Sequence, residues 1–293
     1  MIQSSGFFKD PQPMPEIPDP GLELLHETKD GHSLLFKGHR NDRMVVYKVL
    51  KPEYAEDPVY QRMLRREYEI GISLKHPGIC EILAWTRLPG YGDSIEMEFI
   101  DGCTLDGWLA GHPGDFAQRR RILADLCDAL AYLHRKQVIH KDLKPENILI
   151  TRYGFYPKII DFGLSDTDSI LTGKDPAGTW QYAAPEVRAG GKAEAGSDIY
   201  SLGKIMQQMG PAFAGIAHKC SAEDIDKRYP SAEAVRRDLE KTGHIRPVLP
   251  VVLLSVLLAA CLAAVLFLRR DDPVEKLFQE AVEQVRQAST PKR

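Results

Sequence analysis

The sequence predicts an α+β protein that is β-rich over its first third and helical afterwards, with one membrane-spanning helix near its end. Three observations carry this. Apolar and β-branched runs alternate with turn residues up to Ile100, apolar positions then recur at helical spacing, and no charge occurs from Val248 to Leu268.

At 293 residues, 43% hydrophobic and 27% charged, the chain has room for one two-lobed domain or two small ones. A net charge of -3 argues against nucleic acid as a partner, because binding a phosphate backbone normally leaves a basic imbalance. Its five cysteines are scattered and lack C-x-x-C spacing, which points to reduced thiols in a cytosolic compartment and away from a disulfide framework or zinc.

Residues 1–20 carry prolines at 11, 13, 15, 18 and 20 and no cationic start followed by an apolar block, so they read as an extended arm and not as a signal peptide. "LELL" and "SLLF" then flank the polar turn "HETKDGH", and "MVVYKVL" supplies a β-branched strand with one lysine, Lys48. Taken alone, that lysine reads as a snorkelling edge residue. "PVYQRMLRREYEIGISLKHP" reads as a helix with Met63, Leu64, Tyr68 and Ile70 inward, ending before His76-Pro77. Two strands follow around "ICEILAWTRL" and "SIEMEFI". The helix "FAQRRRILADLCDALAYLHRKQ" places Ile122, Leu126, Leu130 and Leu133 on one face.

The uncharged run Val248–Leu268 is closed by Arg269 and Arg270. About 21 residues at about 1.5 Å each give about 31 Å, which matches a hydrocarbon core of about 30 Å. Basic residues lie on both sides of it, so charge does not set the orientation. Val274, Leu277, Phe278, Ala281, Val282 and Val285 recur at helical spacing beyond it, as in a short amphipathic tail or a plain surface helix. Small residues within the run leave pairing of two chains open.

The richest stretch is "VIHKDLKPENILI". Asp142 and Asn147 are five apart on a segment anchored by Ile139 and by Ile148 to Ile150, which lets a carboxylate and an amide oxygen face one cleft. Asp161, in "KIIDFGLSD", ends a second apolar strand. Oxygens from Asn147 and Asp161 suit Mg²⁺, which takes few protein ligands and completes its shell with phosphate and water.

In order and spacing these motifs resemble the eukaryotic-type (Hanks-type) protein Ser/Thr kinases over roughly Leu22 to Glu240. "VVYK" is similar to the strand whose lysine, Lys48, holds the α/β-phosphates, with Glu67 as its partner on helix αC. "MEFIDGCTL" resembles the hinge, "HKDLKPEN" the catalytic loop, "DFG" the magnesium loop, "GTWQYAAPE" the end of the activation segment, and "SDIYSLG" the helix whose Asp198 braces the catalytic loop. The resemblance implies a bilobal kinase fold, with a β-rich N-lobe over 21–100 and a helical C-lobe over 101–242 whose αG region is reduced. A juxtamembrane link over 243–247, the span over 248–268 and a tail over 269–293 follow. It implies ATP and Mg²⁺ as cofactors. Lys48, Glu67, Val46, Leu149 and the backbone of Glu98 and Ile100 would hold the nucleotide, and Met97 would be the gatekeeper. Asp142, Lys144, Asn147 and Thr179 would be catalytic, Asn147 and Asp161 would bind metal, and Arg228 would pair with Glu186. The expected partners are ATP, proteins bearing Ser or Thr, and a membrane crossed once, with the kinase domain cytoplasmic and a homodimer left open. Competing readings are a membrane-tethered pseudokinase acting as a nucleotide-binding or scaffold module, and a small-molecule kinase on the same fold.

The sequence departs from the family in three places. Counting back from "FKG" puts Thr28, Asp30 and Ser33 where the phosphate-covering loop has glycines, which would hinder close backbone approach to phosphate. Lys141 replaces the arginine that grips a phosphorylated activation loop, so switching by loop phosphorylation would be weaker or absent, and Ser165, Thr167, Ser169 and Thr172 read either as phosphorylation sites or as plain loop hydroxyls. Gly71 stands where an apolar side chain would stack on Phe162, beside Ile82 and His140. This predicts a loosely seated αC set by a partner or by membrane proximity, and a rise in basal phosphorylation on Gly71→Leu.

Overall fold

The alternating runs fold as five strands: β1 (Glu23–Glu27), β2 (Ser33–Arg40), β3 (Arg43–Leu50), β4 (Ile82–Leu88) and β5 (Gly92–Glu98). They form an antiparallel sheet in the order β1-β2-β3-β5-β4. Asn41 and Asp42, at φ 48° and 62°, close the β2–β3 hairpin with both central residues left-handed, a conformation these short polar side chains tolerate. Strand β3 is therefore central, which overturns the reading of Lys48 as an edge residue: it is 7% exposed. The computed structural model describes residues 21–27, 31–112, 116–161, 180–242, 255–265 and 273–288.

Helix α1 (Pro58–Gly71) packs on one face of the sheet, starting where Asp57 accepts the Val59 N–H at 2.8 Å and Pro58 fixes the first turn. It stops at Gly71, before His76-Pro77 as expected. Ser73 donates its hydroxyl to the Ile70 carbonyl at 2.8 Å, satisfying one of the groups a helix end leaves open.

The second lobe contains β6 (Gly102–Thr104), α2 (Leu105–Gly111), α3 (Phe116–Arg135), β7 (Ile148–Thr151), β8 (Pro157–Ile159), α4 (Pro185–Arg188), α5 (Ala195–Gln208), α6 (Ala214–Cys220) and α7 (Ala232–Thr242). The predicted face of α3 is the core: Ile122, Leu126, Leu130 and Leu133 are at 0% exposure. Burying each such side chain contributes about 1.5–3 kcal/mol. Only residues 209–213, with the single turn Pro211–Phe213, separate α5 from α6, in line with a reduced αG region. The two helices approach closely because a Cβ on Gly203 would sit 2.6 Å from the Cys220 Cβ.

Arg228, 4% exposed, ties the end of this lobe to α4 by donating to both Glu186 oxygens at 2.8 Å and to the Gly196 carbonyl at 2.9 Å. Ser197 adds a hydroxyl to Glu186 at 2.7 Å. Partial burial raises the Glu186 pKa, but the hydrogen bonds from Arg228 and Ser197 outweigh it and bring it down to about 2.

Residues up to Thr242 form one unit and Gly243–Arg293 a second. In the second, helix α8 (residues 255–265) is exposed, and helix α9 (Pro273–Ala288) leaves Leu277, Phe278, Val282 and Val285 exposed. Among the described residues no helix is long and apolar enough to cross a membrane. The remainder of the expected span, 248–254 and 266–268, lies outside the described residues.

Replacing Arg228 by Leu strands a partly buried carboxylate, so Arg228→Leu is expected to lower stability by about 3–5 kcal/mol in urea unfolding. The Glu186 contribution is present above pH 4.5 and is lost as pH falls towards 2. The variant should lose that part of the acid slope.

Candidate active site

Lys48 projects from β3 to α1, where it donates to both Glu67 oxygens at 2.8 Å, and to Asp161 Oδ1 at 3.0 Å. Glu67 is buried, whereas the Asp161 side chain keeps 47% of its surface exposed. Burial by itself would lower the Lys48 pKa, but Asp161 and then Glu67 more than offset it, so the ammonium stays charged. Burial likewise raises the Asp161 pKa, and Lys48 outweighs it, leaving the carboxyl below its ordinary range. Asp161 has φ 59°, a left-handed backbone that turns the chain sharply at the end of this strand.

The catalytic-loop residues are held by a buried carboxylate. Asp198, at 0% exposure on α5, accepts the His140 and Lys141 N–H groups at 2.9 Å each and faces His134 Nε2 at 2.8 Å. Lys141 sits there at φ 70°, and the chain then turns so that the Asp142 N–H reaches the His140 carbonyl at 2.9 Å. Asp142 Oδ2 is taken by Lys144 Nζ at 2.7 Å and Asn147 Nδ2 at 3.0 Å. Its Oδ1 is buried and has no hydrogen-bond partner among the described residues.

Asn147 ends the turn Pro145–Asn147, and its Nδ2 also donates to the Asp142 carbonyl at 2.8 Å. With both amide protons directed at Asp142, its Oδ1 remains an acceptor. The Asn147 carbonyl accepts the Ile160 N–H at 2.9 Å, which brings Asn147 beside Asp161 across the β7–β8 pair. An amide oxygen and an ionised, half-exposed carboxylate are donors that a hard divalent cation accepts, so these residues fit Mg²⁺.

Val46 lies two residues before Lys48 on β3, on the same face, opposite Met97 of β5. Leu149 alternates with the core residues Ile148 and Ile150 and is left partly exposed. Ile100 is partly exposed in the link after β5. The Glu98 N–H goes to the Glu81 carbonyl at 2.9 Å, and its carboxylate accepts the Glu81 N–H at 2.8 Å and Lys158 at 2.5 Å behind the link.

The turn between β1 and β2 differs from expectation. Ser33 is not in it: the residue opens β2 opposite Leu50 and is buried, because strand pairing extends back to it. Thr28 and Asp30 lie outside the described residues. So do Phe162, the four candidate hydroxyls at 165–172 and Thr179, and the stack expected around the buried Gly71 shares that limit.

Two contributors were not foreseen. His32 packs against Tyr60 with ring centroids 5.1 Å apart and planes tilted by 42°, and its carbonyl accepts the Lys51 N–H at 2.8 Å. Burial, and then Lys48, lower its pKa to about 4. A histidine in a polar turn carries no periodic signal that would have marked it. Lys158, three residues before Asp161, pairs with Glu98 and so joins the link to β8, which ends two residues before Asp161.

A lysine–glutamate pair, a braced catalytic loop and a strand ending in an acidic turn, set between a β-rich and a helical lobe, are the parts of a phosphotransferase of the protein kinase type. Residues 29–243 match the model of the protein kinase domain, and the chain belongs to that family. A probable serine/threonine-protein kinase of Streptomyces coelicolor is 30% identical over 269 residues, covering 75% of this chain and 39% of its own. The serine/threonine-protein kinase PknB of Mycolicibacterium smegmatis is 35% identical over 199 residues (64% of this chain, 30% of the relative), and PrkC of Bacillus subtilis 34% over 175 (57% and 26%). The chain therefore spans well under half the length of these relatives. The crystal structure of the Mycobacterium tuberculosis PknI kinase domain superposes with a TM-score of 0.59 at 21% identity, covering 76% of this chain and 96% of that one, which shows the shared fold.

His32 contributes stability above its unfolded pKa of 6.5, and this is lost as pH falls towards 4. His32→Gln should flatten the decline in melting temperature between those pH values. The charged groups acting on it are Lys48, Lys51 and Asp161. An unchanged profile would place the acid sensitivity elsewhere, beginning with His76, whose pKa burial also lowers.

Proposed function

We propose that the chain is a protein serine/threonine kinase, anchored to a membrane by one span over 248–268, which transfers the ATP γ-phosphate to Ser or Thr hydroxyls of proteins. The observation that carries the reading is Asp142: Oδ2 is saturated by Lys144 and Asn147, while Oδ1 is buried and, among the described residues, unpaired. An unpaired acceptor buried beside a lysine is what a substrate hydroxyl needs as it gives up its proton. Lys144, on the same carboxylate, is within reach of the transferred phosphate. Lys48 orients the α/β-phosphates while Glu67 keeps its ammonium in place, and Val46 and Leu149 offer apolar surface to the base beside the backbone of Glu98 and Ile100. Asn147 and Asp161 would hold Mg²⁺, which supplies charge neutralisation of the phosphates. Thr179 completes the proposed catalytic set.

The names of the relatives support Ser/Thr as acceptors. The uncharged run from Val248 to Leu268 supports the anchor, as does the exposure of Val256, Leu257, Leu258, Leu262 and Val265 on residues 255–265, at 52–66%. ATP and reduced cysteines favour the cytoplasmic side for the catalytic unit.

The test is phosphate transfer from labelled ATP by the full chain in detergent with Mg²⁺, using the chain itself and a generic basic protein as acceptors. Asp142→Asn should lower the rate by about 10²–10⁴-fold while ATP still raises the melting temperature. Lys48→Met should cost about 10²–10³-fold. Equal labelling by wild type and Asp142→Asn would overturn the assigned role. In the same preparation, deleting 248–268 should move the protein from the membrane to the soluble fraction.

A further inference from the structure

The last helices of the catalytic unit frame a surface pocket of about 270 Å³, lined by Lys219 of α6, by Tyr229, and by Arg237, Asp238 and Lys241 of α7. The three α7 residues share one helix face because they lie three and four positions apart. Lys219 Nζ sits 4.1 Å from the centre of the Tyr229 ring. Asp238 is the one acid in the lining, and both of its oxygens are occupied: Oδ2 accepts the Tyr229 hydroxyl at 2.8 Å and Oδ1 accepts Lys241 at 2.7 Å. Arg237 is exposed and makes no hydrogen bond or ion pair among the described residues. Its neighbour Arg236 is instead committed to Asp128 and Glu240. The lining thus carries a net charge of +2 on a chain whose total is -3, so overall composition does not account for it. The preference for cations at helix C-termini accounts for Lys219 and Lys241, but not for Arg237 in the middle of α7.

We infer that this pocket receives the phosphate of an anionic lipid headgroup. The inference rests on the membrane anchor proposed above and adds to it a lipid class and a binding site. Phosphate matches the lining: the Arg237 guanidinium can grip two oxygens at once, and the ammonium groups of Lys219 and Lys241 supply point charges beside it. The volume suits a single headgroup, since sites for drug-sized ligands run to about 300–1,000 Å³. A zwitterionic headgroup also carries phosphate, but its own cation would meet a lining that already has a positive excess. Position in the chain selects a lipid over a soluble phosphate. Lys241 and Val248, where the uncharged run begins, are seven positions apart, a tether of about 25 Å at most, so the headgroup layer is within its reach. The residues between, Thr242 to Pro247, add one cation, Arg246, and no acid. Cations next to a span are drawn to the anionic lipids of the cytoplasmic leaflet, and the tether keeps their local concentration high.

The test places the full chain in lipid nanodiscs of phosphatidylcholine alone, or of phosphatidylcholine mixed with phosphatidylglycerol, and follows amide hydrogen exchange. In the mixed discs the amides of 214–220 and 229–242 should exchange several-fold more slowly, and added salt should shrink the difference. Lys219→Gln/Arg237→Gln should exchange like wild type in neutral discs and show no slowing in mixed ones. Arg43→Gln/Arg87→Gln, which removes the same charge from the β-rich lobe, should keep the slowing. Equal slowing in both double variants would overturn the site. Equal slowing by glycerol 3-phosphate added to neutral discs would overturn the lipid as its source, and slowing there only after incubation with ATP and Mg²⁺ would give the pocket to a phosphorylated protein segment instead. A chain that does not co-elute with discs fails on the anchor, and the lipid site falls with it. One that co-elutes but exchanges alike in both compositions keeps the anchor and loses the site.

Discussion

The site depends on one buried carboxylate. Asp198 emerges from α5 into the middle of the helical lobe and receives two consecutive backbone N–H groups, that of His140 on Oδ2 and that of Lys141 on Oδ1, with His134 also on Oδ2. A buried carboxylate is costly unless its lone pairs are occupied, and here three donors occupy them. The requirement is mutual. Lys141, at φ 70°, adopts a backbone that a β-carbon disfavours, and the loop retains it because the carboxylate fixes the amides on either side of that peptide. Helix and loop thus hold each other in the geometry that leaves Asp142 with one satisfied oxygen and one unsatisfied.

The same logic of paired charges joins the two lobes at the front. Lys48 belongs to the β-rich lobe and Asp161 to the helical one, and their 3.0 Å contact spans the cleft together with Glu67. Electrostatics in a partly dry cleft exceed those of exposed pairs, and the exposure of Asp161 keeps its outer oxygen accessible to a cation. Lys48, Asn147 and Asp161 come from three different strands or turns. Their convergence therefore reports on the whole fold and on no single local segment.

Much of this was legible in the sequence because it is periodic or punctuated. The α3 stripe of Ile122, Leu126, Leu130 and Leu133 and the strands of the first lobe follow from spacing alone. The residues proposed as catalytic lie in short, ordered motifs whose separations reflect the chain length between strands. What stayed hidden is tertiary. Lys48 looked like an edge residue because strand order cannot be read from one strand. Ser33 was assigned to a turn because counting from one motif cannot see how far strand pairing extends. His32 and the Glu98–Lys158 pair join parts of the chain that no local pattern connects.

The rear of the cleft carries a different consequence. Behind the inter-lobe link, Ile79 bridges Ile159, the Cys80 N–H reaches the Ile159 carbonyl at 2.8 Å, and Lys158 grips Glu98. These contacts join the two lobes behind the link, so an opening of the lobes that preserves them would be a rotation about this region. Displacement then grows with distance from the axis, as at the mouth of a book held by its spine. A base seated against the link would keep its register while the far end of the same ligand swings free, so exchange of bound molecules would begin at the phosphate end.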